Sequence, residues 1–384
     1  MLQNFLNSKP LYYDEIDYAR MPRIYEKIKS HLPKVKIVHL IGTNGKGTTG
    51  RFLASALHQL GFKTGHYTSP HILEFNERIW KNGENSHNKS LEEAHKELQK
   101  ILSKEDSDAL SYFEYTTLLA MLVFKDCEYV VMEAGLGGEH DASAVFDKVL
   151  TLVTPISYDH EAFLGENIED IATTKLNAIQ NSAILASQQH KEVYSVADAL
   201  AKENSLSITK YAQMLNKDDE KKIKNISKKL KLPEYLSQNL SLSICALKFL
   251  NIEYSEDAFL YSKLFGRLTQ IDKNIIIDVG HNPLAASAIV QSLKPEKYVL
   301  IYNSYRDKDY KTILQTLKPI VEHVEIIEIS DTRAEAQIHL KRVLNDLEIK
   351  CYTFNGVVED VKYLVFGSFS VVEAFMKKTK LVEL

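Results

Sequence analysis

At 384 residues, with 45% hydrophobic and 26% charged, the chain has enough apolar content for two or more ordinary domains with cores of their own. Its 47 Lys plus Arg against 51 Asp plus Glu leave a formal net charge of -4, so any anion site must be local, and neither nucleic acid nor an anionic membrane finds an electrostatic footprint. Cys127, Cys245 and Cys351 are far apart and lack metal-ligand spacing, which reads as reduced, buried thiols. The start, MLQNFLNSKPLYYDEID, has no basic-then-apolar leader, and no later apolar run approaches the ~20 residues of a membrane span. The expectation is a soluble, cytoplasmic protein that binds neither nucleic acid nor membrane.

Between residues 12 and 30, Ile16, Ala19, Ile24 and Ile28 recur at near-helical intervals around Pro22, predicting a broken helical lead-in. Its tyrosines suit either a flat ring pocket or aromatic core packing. Lys36 to Ile41 is a short β-branched apolar run, Gly42 to Gly47 is glycine-rich, and Phe52, Leu53, Ala56, Leu57 and Leu60 follow at helical spacing before Gly61. A strand, loop and helix in that order aim backbone N–H groups and the positive helix end at one point, which favours a phosphate chain, with Lys46 neutralising its outer charge. The loop departs from G-x-x-x-x-G-K-[ST], because two residues separate Gly42 from Gly45 and Gly47 intervenes between Lys46 and Thr48. A glycine-rich turn without a ligand is the other reading. The run GTNGKGTT resembles the nucleotide loop of the Mur ligase superfamily, in the form typical of folylpolyglutamate and dihydrofolate synthases. That resemblance implies ATP contacts at Thr43, Asn44, Gly45, Lys46, Gly47 and Thr48.

Thr64 to Thr68 predicts a second strand running into TSPH. A hydroxyl at a strand end can ligate Mg2+, and Ser69 matches a metal ligand of the family, although a plain Ser-Pro turn is also open. FNERIWKNGENS reads as a strand with a hairpin turn at Asn82 and Gly83, and Leu91, Ala94, Leu98 and Ile101 mark a surface helix. From Tyr112 an apolar helix leads to a buried strand, Tyr129 to Met132, and then to a glycine-rich loop opening on Glu133. A carboxylate at that end of a parallel strand sits where open α/β sheets bind ligands. The run from Glu133 to Ala142 resembles the family's E-x-G-L-G-G-x-x-D-A motif, and makes Glu133 a second metal ligand. By the same resemblance, His140, Asp141 and Ala142, together with Ser111, Tyr112, Phe113, Asp17 and Tyr18, contact the pteroate, Asp141 meeting a pterin edge. Glu139 stands where the family usually has a basic residue, and Ala144 where it has asparagine.

A further strand spans Lys148 to Ile156. His160 lies at the separation from Glu133 that the family shows between its carboxylate and imidazole metal ligands; a polar turn histidine is the alternative. Lys175 sits on the following helix and matches a lysine that the resembled enzymes carbamylate, turning a cation into an anionic oxygen ligand. Lys217 to Lys231, with seven lysines, reads as a solvated surface segment. Asn239 matches an adenine-side contact. Gly266 and Arg267 mark the linker to a second domain, whose first strand NIIIDVGHNP ends on Asp278 and turns through His281. Strands near 297–302, 323–329, 350–354 and 362–366 alternate with helices, giving five parallel strands.

The fold class is therefore α/β. The resemblance implies a P-loop ATPase domain over residues 1–265 and a Rossmann-like glutamate-ligase domain over 266–384, with Arg267 and Asp278 also serving the nucleotide. It further implies ATP and two Mg2+ ions as cofactors, and a monomer that joins dihydropteroate or a reduced folate to L-glutamate. Lys46, Glu133, His160 and Lys175 would be catalytic. A Mur-type ligase for a nucleotide-linked precursor would carry an additional N-terminal domain, for which the stretch before the loop leaves no room. A noncatalytic ATP-binding module is the alternative from another class, and glutamate-dependent ADP release separates it from an enzyme.

Overall fold

The computed structural model describes residues 1–10 and 17–381. Contacts divide the chain into two units, one of Met1–Ser157, Glu161–Leu232 and Leu236–Lys263, the other of Tyr158–His160, Pro233–Tyr235 and Leu264–Leu384. No helix among the described residues is long and apolar enough to cross a membrane.

The first unit is built on β1 (Lys36–Ile41), β2 (Thr64–Tyr67), β3 (Ile79–Lys81), β4 (Glu84–Asn85), β5 (Tyr129–Glu133), β6 (Leu150–Val153), β7 (Ser182–Leu185) and β8 (Ser207–Lys210), in the order β4-β3-β2-β5-β1-β6-β7-β8. The six strands from β2 to β8 in that order are mutually parallel, and the β3-β4 hairpin adds the antiparallel edge. Alternation along β5 fixes the layers. Val130 and Met132 enter one core with the helices Leu2–Asn7, Arg20–Ile28, Asn88–Ile101 and Tyr112–Val123, while Tyr129 and Val131 enter another with Lys46–Gln59, Lys217–Leu230 and Glu234–Phe249. The β1 strand lies between β5 and β6, so the loop after it is flanked by both strand ends.

The second unit has β9 (Thr269–Asp272), β10 (Ile275–Ile277), β11 (Tyr298–Tyr302), β12 (Val321–Ile326), β13 (Cys351–Thr353) and β14 (Tyr363–Phe366), in the order β13-β12-β11-β14-β10-β9. The expected five parallel strands are present, and β9 adds an antiparallel edge that the sequence reading lacks.

Three further local expectations change. Pro22 does not break its helix, because Arg20–Ile28 holds it in the first turn, where a missing N–H costs no intrahelical bond; residues 12–16 of the expected lead-in lie outside the described residues. Phe75–Arg78 is a 3-10 turn rather than strand, closed by a capping box between Glu74 and Glu77, and the strand starts only at Ile79. The lysine-rich segment is a helix, Lys217–Leu230, that buries Ile226 and Leu230 and ties Asp219 to Lys248 and to the Tyr254 hydroxyl. The turn at Asn82 and Gly83 is as expected, with φ of 49° and 106°.

Gly65 of β2 faces the Phe124 ring, and a Cβ there would lie 2.5 Å from Phe124 Cδ1. Gly65→Ala should therefore destabilise the first unit by about 1–3 kcal/mol through overpacking, read as a lower urea midpoint. Adding Phe124→Leu should recover part of the loss.

Candidate active site

The helix Lys46–Gln59 begins on Gly45, at φ +91°, and no side chain caps it. The helices starting after Ser111, Asn167, Asn216 and Asn282 receive a side-chain cap, whereas Arg20–Ile28, Asn88–Ile101, Lys191–Glu203 and Gln337–Asp346 also start without one. The first N–H groups of an uncapped helix have no partner within it, and here they gather at the C-terminal end of β1. A Cβ on Gly45 would sit 2.7 Å from Asn239 Oδ1, so Asn239, on the helix Glu234–Phe249, closes directly over the loop.

The other side of the loop is held by the segment after β6. Thr43 N and Asn44 N both donate to Pro155 O, at 2.9 and 3.2 Å, and Thr43 Oγ1 exchanges hydrogen bonds with the Ser157 backbone at 3.0 and 3.1 Å. Thr43 thus fixes the loop's shape, and the amides at Gly45, Lys46, Gly47 and Thr48 are the ones placed for an anion. Gly42, at φ +134°, abuts Thr154 so closely that a Cβ would fall 2.1 Å from its hydroxyl oxygen.

Three charged side chains converge on the loop. Lys46 Nζ donates to Gly42 O at 3.1 Å and stands 3.9 Å from Glu133 Oε1. The buried Lys175, on the helix Ile168–Leu176, donates to the same Gly42 oxygen at 3.2 Å. Glu133 ends β5 opposite Leu40 of β1, and its other oxygen accepts from the Thr68 hydroxyl. Two ammonium groups against one carboxylate, with helix-end amides beside them, form a small cationic nest in a chain of negative net charge.

Among the described residues no three His, Cys, Asp or Glu side chains assemble into a metal cluster. The donors present nonetheless suit Mg2+, which takes oxygen from one or two carboxylates together with phosphates rather than from an all-protein cage. Glu133 is such a carboxylate, and the Thr68 and Ser69 hydroxyls follow the end of β2. Lys175 as an ammonium does not suit a metal; as a carbamate it would. His160 belongs to the second unit, at φ +54°, with Nε2 3.9 Å from Asp159.

The residues expected at the acceptor divide into two groups. Tyr18 and His140 stack with centroids 4.3 Å apart and, with Asp141, Glu139, Ala144 and Tyr25, line a cavity of about 190 Å3. Ser111, Tyr112 and Phe113 do not line that cavity; they start the helix Tyr112–Val123, where Ser111 accepts from Glu114 N, and Phe113 packs 5.8 Å from Tyr67 with its ring against Gly135 of the Glu133–Ala142 loop. Ala142 is buried in the core, and Asp17 accepts from Ala19 N at 3.0 Å. Asp141 does not offer a free edge. Its Oδ2 accepts from Gly135 N and Leu136 N and its Oδ1 from Ser143 N and Oγ, while burial pushes its pKa up. Glu139 has one oxygen engaged by Asn177 Nδ2 at 2.8 Å.

In the second unit, Asp278 is buried at the end of β10 and accepts from Leu268 N and Gly280 N, both at 2.8 Å, which fixes the turn carrying Arg267. Burial raises its pKa, and Arg267 lies over the Phe369 ring at 5.1 Å. Asp159 is a feature that sequence reading did not single out. Burial alone would raise its pKa, but His281, His160 and Lys308 outweigh that and hold its carboxyl far below the usual range.

No family model matches the sequence. The crystal structure of Helicobacter pylori folylpolyglutamate synthetase is 38% identical, covers 98% of this chain and 97% of its own, and superposes with a TM-score of 0.80. The chain belongs to the folylpolyglutamate synthetase family. The Haemophilus influenzae relative, a dihydrofolate synthase/folylpolyglutamate synthase, is 27% identical over 94% of this chain and 93% of its own. E. coli FolC, solved in complex with DHPP and ADP, is 26% identical, covers 98% and 96% of the two chains, and has a TM-score of 0.82. Membership in the synthetase family agrees with a nucleotide loop at β1 and a second α/β unit built around β10.

Lys46→Ala should lower ATP turnover by on the order of 10^3-fold, far beyond what losing its hydrogen bonds to Gly42 and Thr43 would do, because its ammonium has a phosphoryl transition state to stabilise. Unimpaired ADP release by this variant, with an unchanged melting profile, would remove the loop from the active site.

Proposed function

We propose that the chain is an ATP-dependent ligase that joins a pteroate or folate carboxylate to the amine of L-glutamate, in dihydrofolate synthesis and in folate polyglutamylation. The observation that carries this reading is the uncapped helix end at Gly45 with Lys46, Lys175 and Glu133 around it, in a chain belonging to the synthetase family.

A carboxylate is a poor electrophile and must be activated before an amine can attack it. The acceptor's carboxylate oxygen attacks the γ-phosphorus of ATP, the bond to the bridging oxygen breaks, and ADP leaves. The amines and amides of the loop serve that step. Lys46 and the N–H groups of Gly45 to Thr48 hold and neutralise the phosphates, and fixed donors of this kind cost no reorganisation as charge shifts. Glu133, Ser69 and a carbamylated Lys175 would hold Mg2+, which when bound spreads the charge of the transferring phosphoryl. The amine of L-glutamate then attacks the acyl carbon and loses a proton, the carbon–oxygen bond to phosphate breaks, and amide and phosphate are released.

Tyr18 and His140, with rings 4.3 Å apart and tilted by 36°, give the cavity an aromatic wall suited to a pterin. The pairing of Glu139 with Asn177 takes up part of the negative charge that stands where the family has a basic residue. Use of both dihydropteroate and a reduced folate is the expectation. It is tested by ADP formation with MgATP and L-glutamate, supplying dihydropteroate or tetrahydrofolate separately. Activity with tetrahydrofolate alone would leave a polyglutamylating enzyme, and activity with neither would overturn the reading.

For Lys175, replacement by Ala should lower glutamate-dependent ADP release by on the order of 10^2-fold, and added acetate should restore part of it by supplying the missing anionic oxygen. Full activity in the Ala variant would exclude a carbamate role.

A further inference from the structure

Arg78 presents a nearly buried cation for which the nucleotide site has no use. It ends the turn Phe75–Arg78, is 9% exposed, and belongs to no ion pair within 4 Å among the described residues. Its Nε donates to His71 Nδ1 at 2.8 Å, and its guanidinium carbon lies 5.2 Å from the centroid of the Tyr112 ring. The adjacent carboxylate does not neutralise it. Glu77 accepts instead from the backbone N–H groups of Ile72, Leu73 and Glu74, and so fixes the loop that follows His71. A desolvated guanidinium without an anion is costly, whereas one held by packing and a hydrogen bond is ready to receive a carboxylate in its planar fork.

Its position gives the cation chemical meaning. Arg78 O accepts from Thr68 N at 3.0 Å, directly across from the residue whose hydroxyl donates to Glu133. The Arg78 backbone is therefore one strand away from the strand end that carries Glu133, and its guanidinium lies over Tyr112, whose ring packs edge-on against Phe75. We propose that Arg78, held by His71 and Tyr112, is the binding site for a substrate carboxylate, either that of the acceptor or one belonging to the incoming amino acid. This rests on the ligase reading above, in which both reactants carry such a group.

The test compares the unsubstituted protein with Arg78→Gln and Arg78→Lys, by equilibrium binding of dihydropteroate, tetrahydrofolate and L-glutamate, and by steady-state kinetics. Loss of the charged hydrogen bonds in Arg78→Gln should weaken one carboxylate ligand roughly 10- to 100-fold while leaving the KM for ATP unchanged. Arg78→Lys should recover only part, because an ammonium lacks the bidentate fork. Weakened pterin binding assigns the acceptor, and weakened glutamate binding the amino acid; either upholds the site. A residue that only packs against Tyr112 would instead move the melting temperature and all three KM values together, and that result overturns the proposal. So does unchanged carboxylate binding in both variants, or in Arg78→Lys alone if Arg78→Gln does not fold, and so does failure of the unsubstituted protein to bind any of these carboxylates. Absence of glutamate-dependent ADP release in the unsubstituted protein sinks the ligase reading separately, since carboxylate binding is scored without turnover.

Discussion

The first unit is arranged around a helix end that no side chain among the described residues caps. The amides at the start of Lys46–Gln59 have no capping side chain, and they open where β1 leaves the sheet between β5 and β6. Parallel strands end together, so each neighbour of β1 delivers its own group to that point. From β5 comes Glu133, and from beyond β6 comes Pro155, whose carbonyl oxygen takes the first two loop amides. Lys175 reaches Gly42 from a separate helix. Bringing two lysines and a glutamate so close in a poorly hydrated place contributes little to stability on its own. The arrangement makes sense as preorganisation for an anion larger than any side chain present.

Much of this was legible in the amino-acid sequence because it obeys short periods. The apolar runs of β1, β5 and β10, the helical spacing after Gly47 and the Asn-Gly hairpin each depend on neighbours within a few residues. What escaped depends on other constraints. Phe75–Arg78 has the β-favouring look of a strand, but the Glu77 carboxylate collects three backbone N–H groups and winds the chain into a turn. The β9 strand has only alternating half-exposed residues, as an edge strand with one paired side permits. In Lys217–Leu230 the lysines hide a sparse apolar stripe whose meaning comes from the helix it packs on.

The candidate site divides in the same way. Lys46 and Glu133 follow directly from motif and strand ending. Thr43 fits the motif as well as its neighbours do, yet its amide and hydroxyl are spent on the segment after β6, a partner that no local pattern reveals. Tyr18 and His140 meet, while the helix Tyr112–Val123 presents its first turn to Arg78, Tyr67 and Gly135 rather than to that pair. Arg78 ends a stretch that the family resemblance covers, but no role follows from that until its lack of an ion pair among the described residues is seen.

Asp141 explains why the run from Glu133 to Ala142 behaves as one object. A buried carboxylate is expensive, as its raised pKa indicates, and four donors offset that cost. Two of the donors are the amides of Gly135 and Leu136, just after Glu133; the other two belong to Ser143, just after the residues that wall the cavity. Ser143 Oγ is in turn 2.7 Å from His39 Nε2, on the strand that leads to the nucleotide loop. With its proton given to Asp141, the serine oxygen can only accept from the histidine, so His39 carries its hydrogen on Nε2. Burial holds that imidazole neutral, which keeps the chain of donors pointing one way. The loop is thereby tied near both ends to a single carboxylate, which braces a glycine-rich segment between the residues after Glu133 and the residues beside His140.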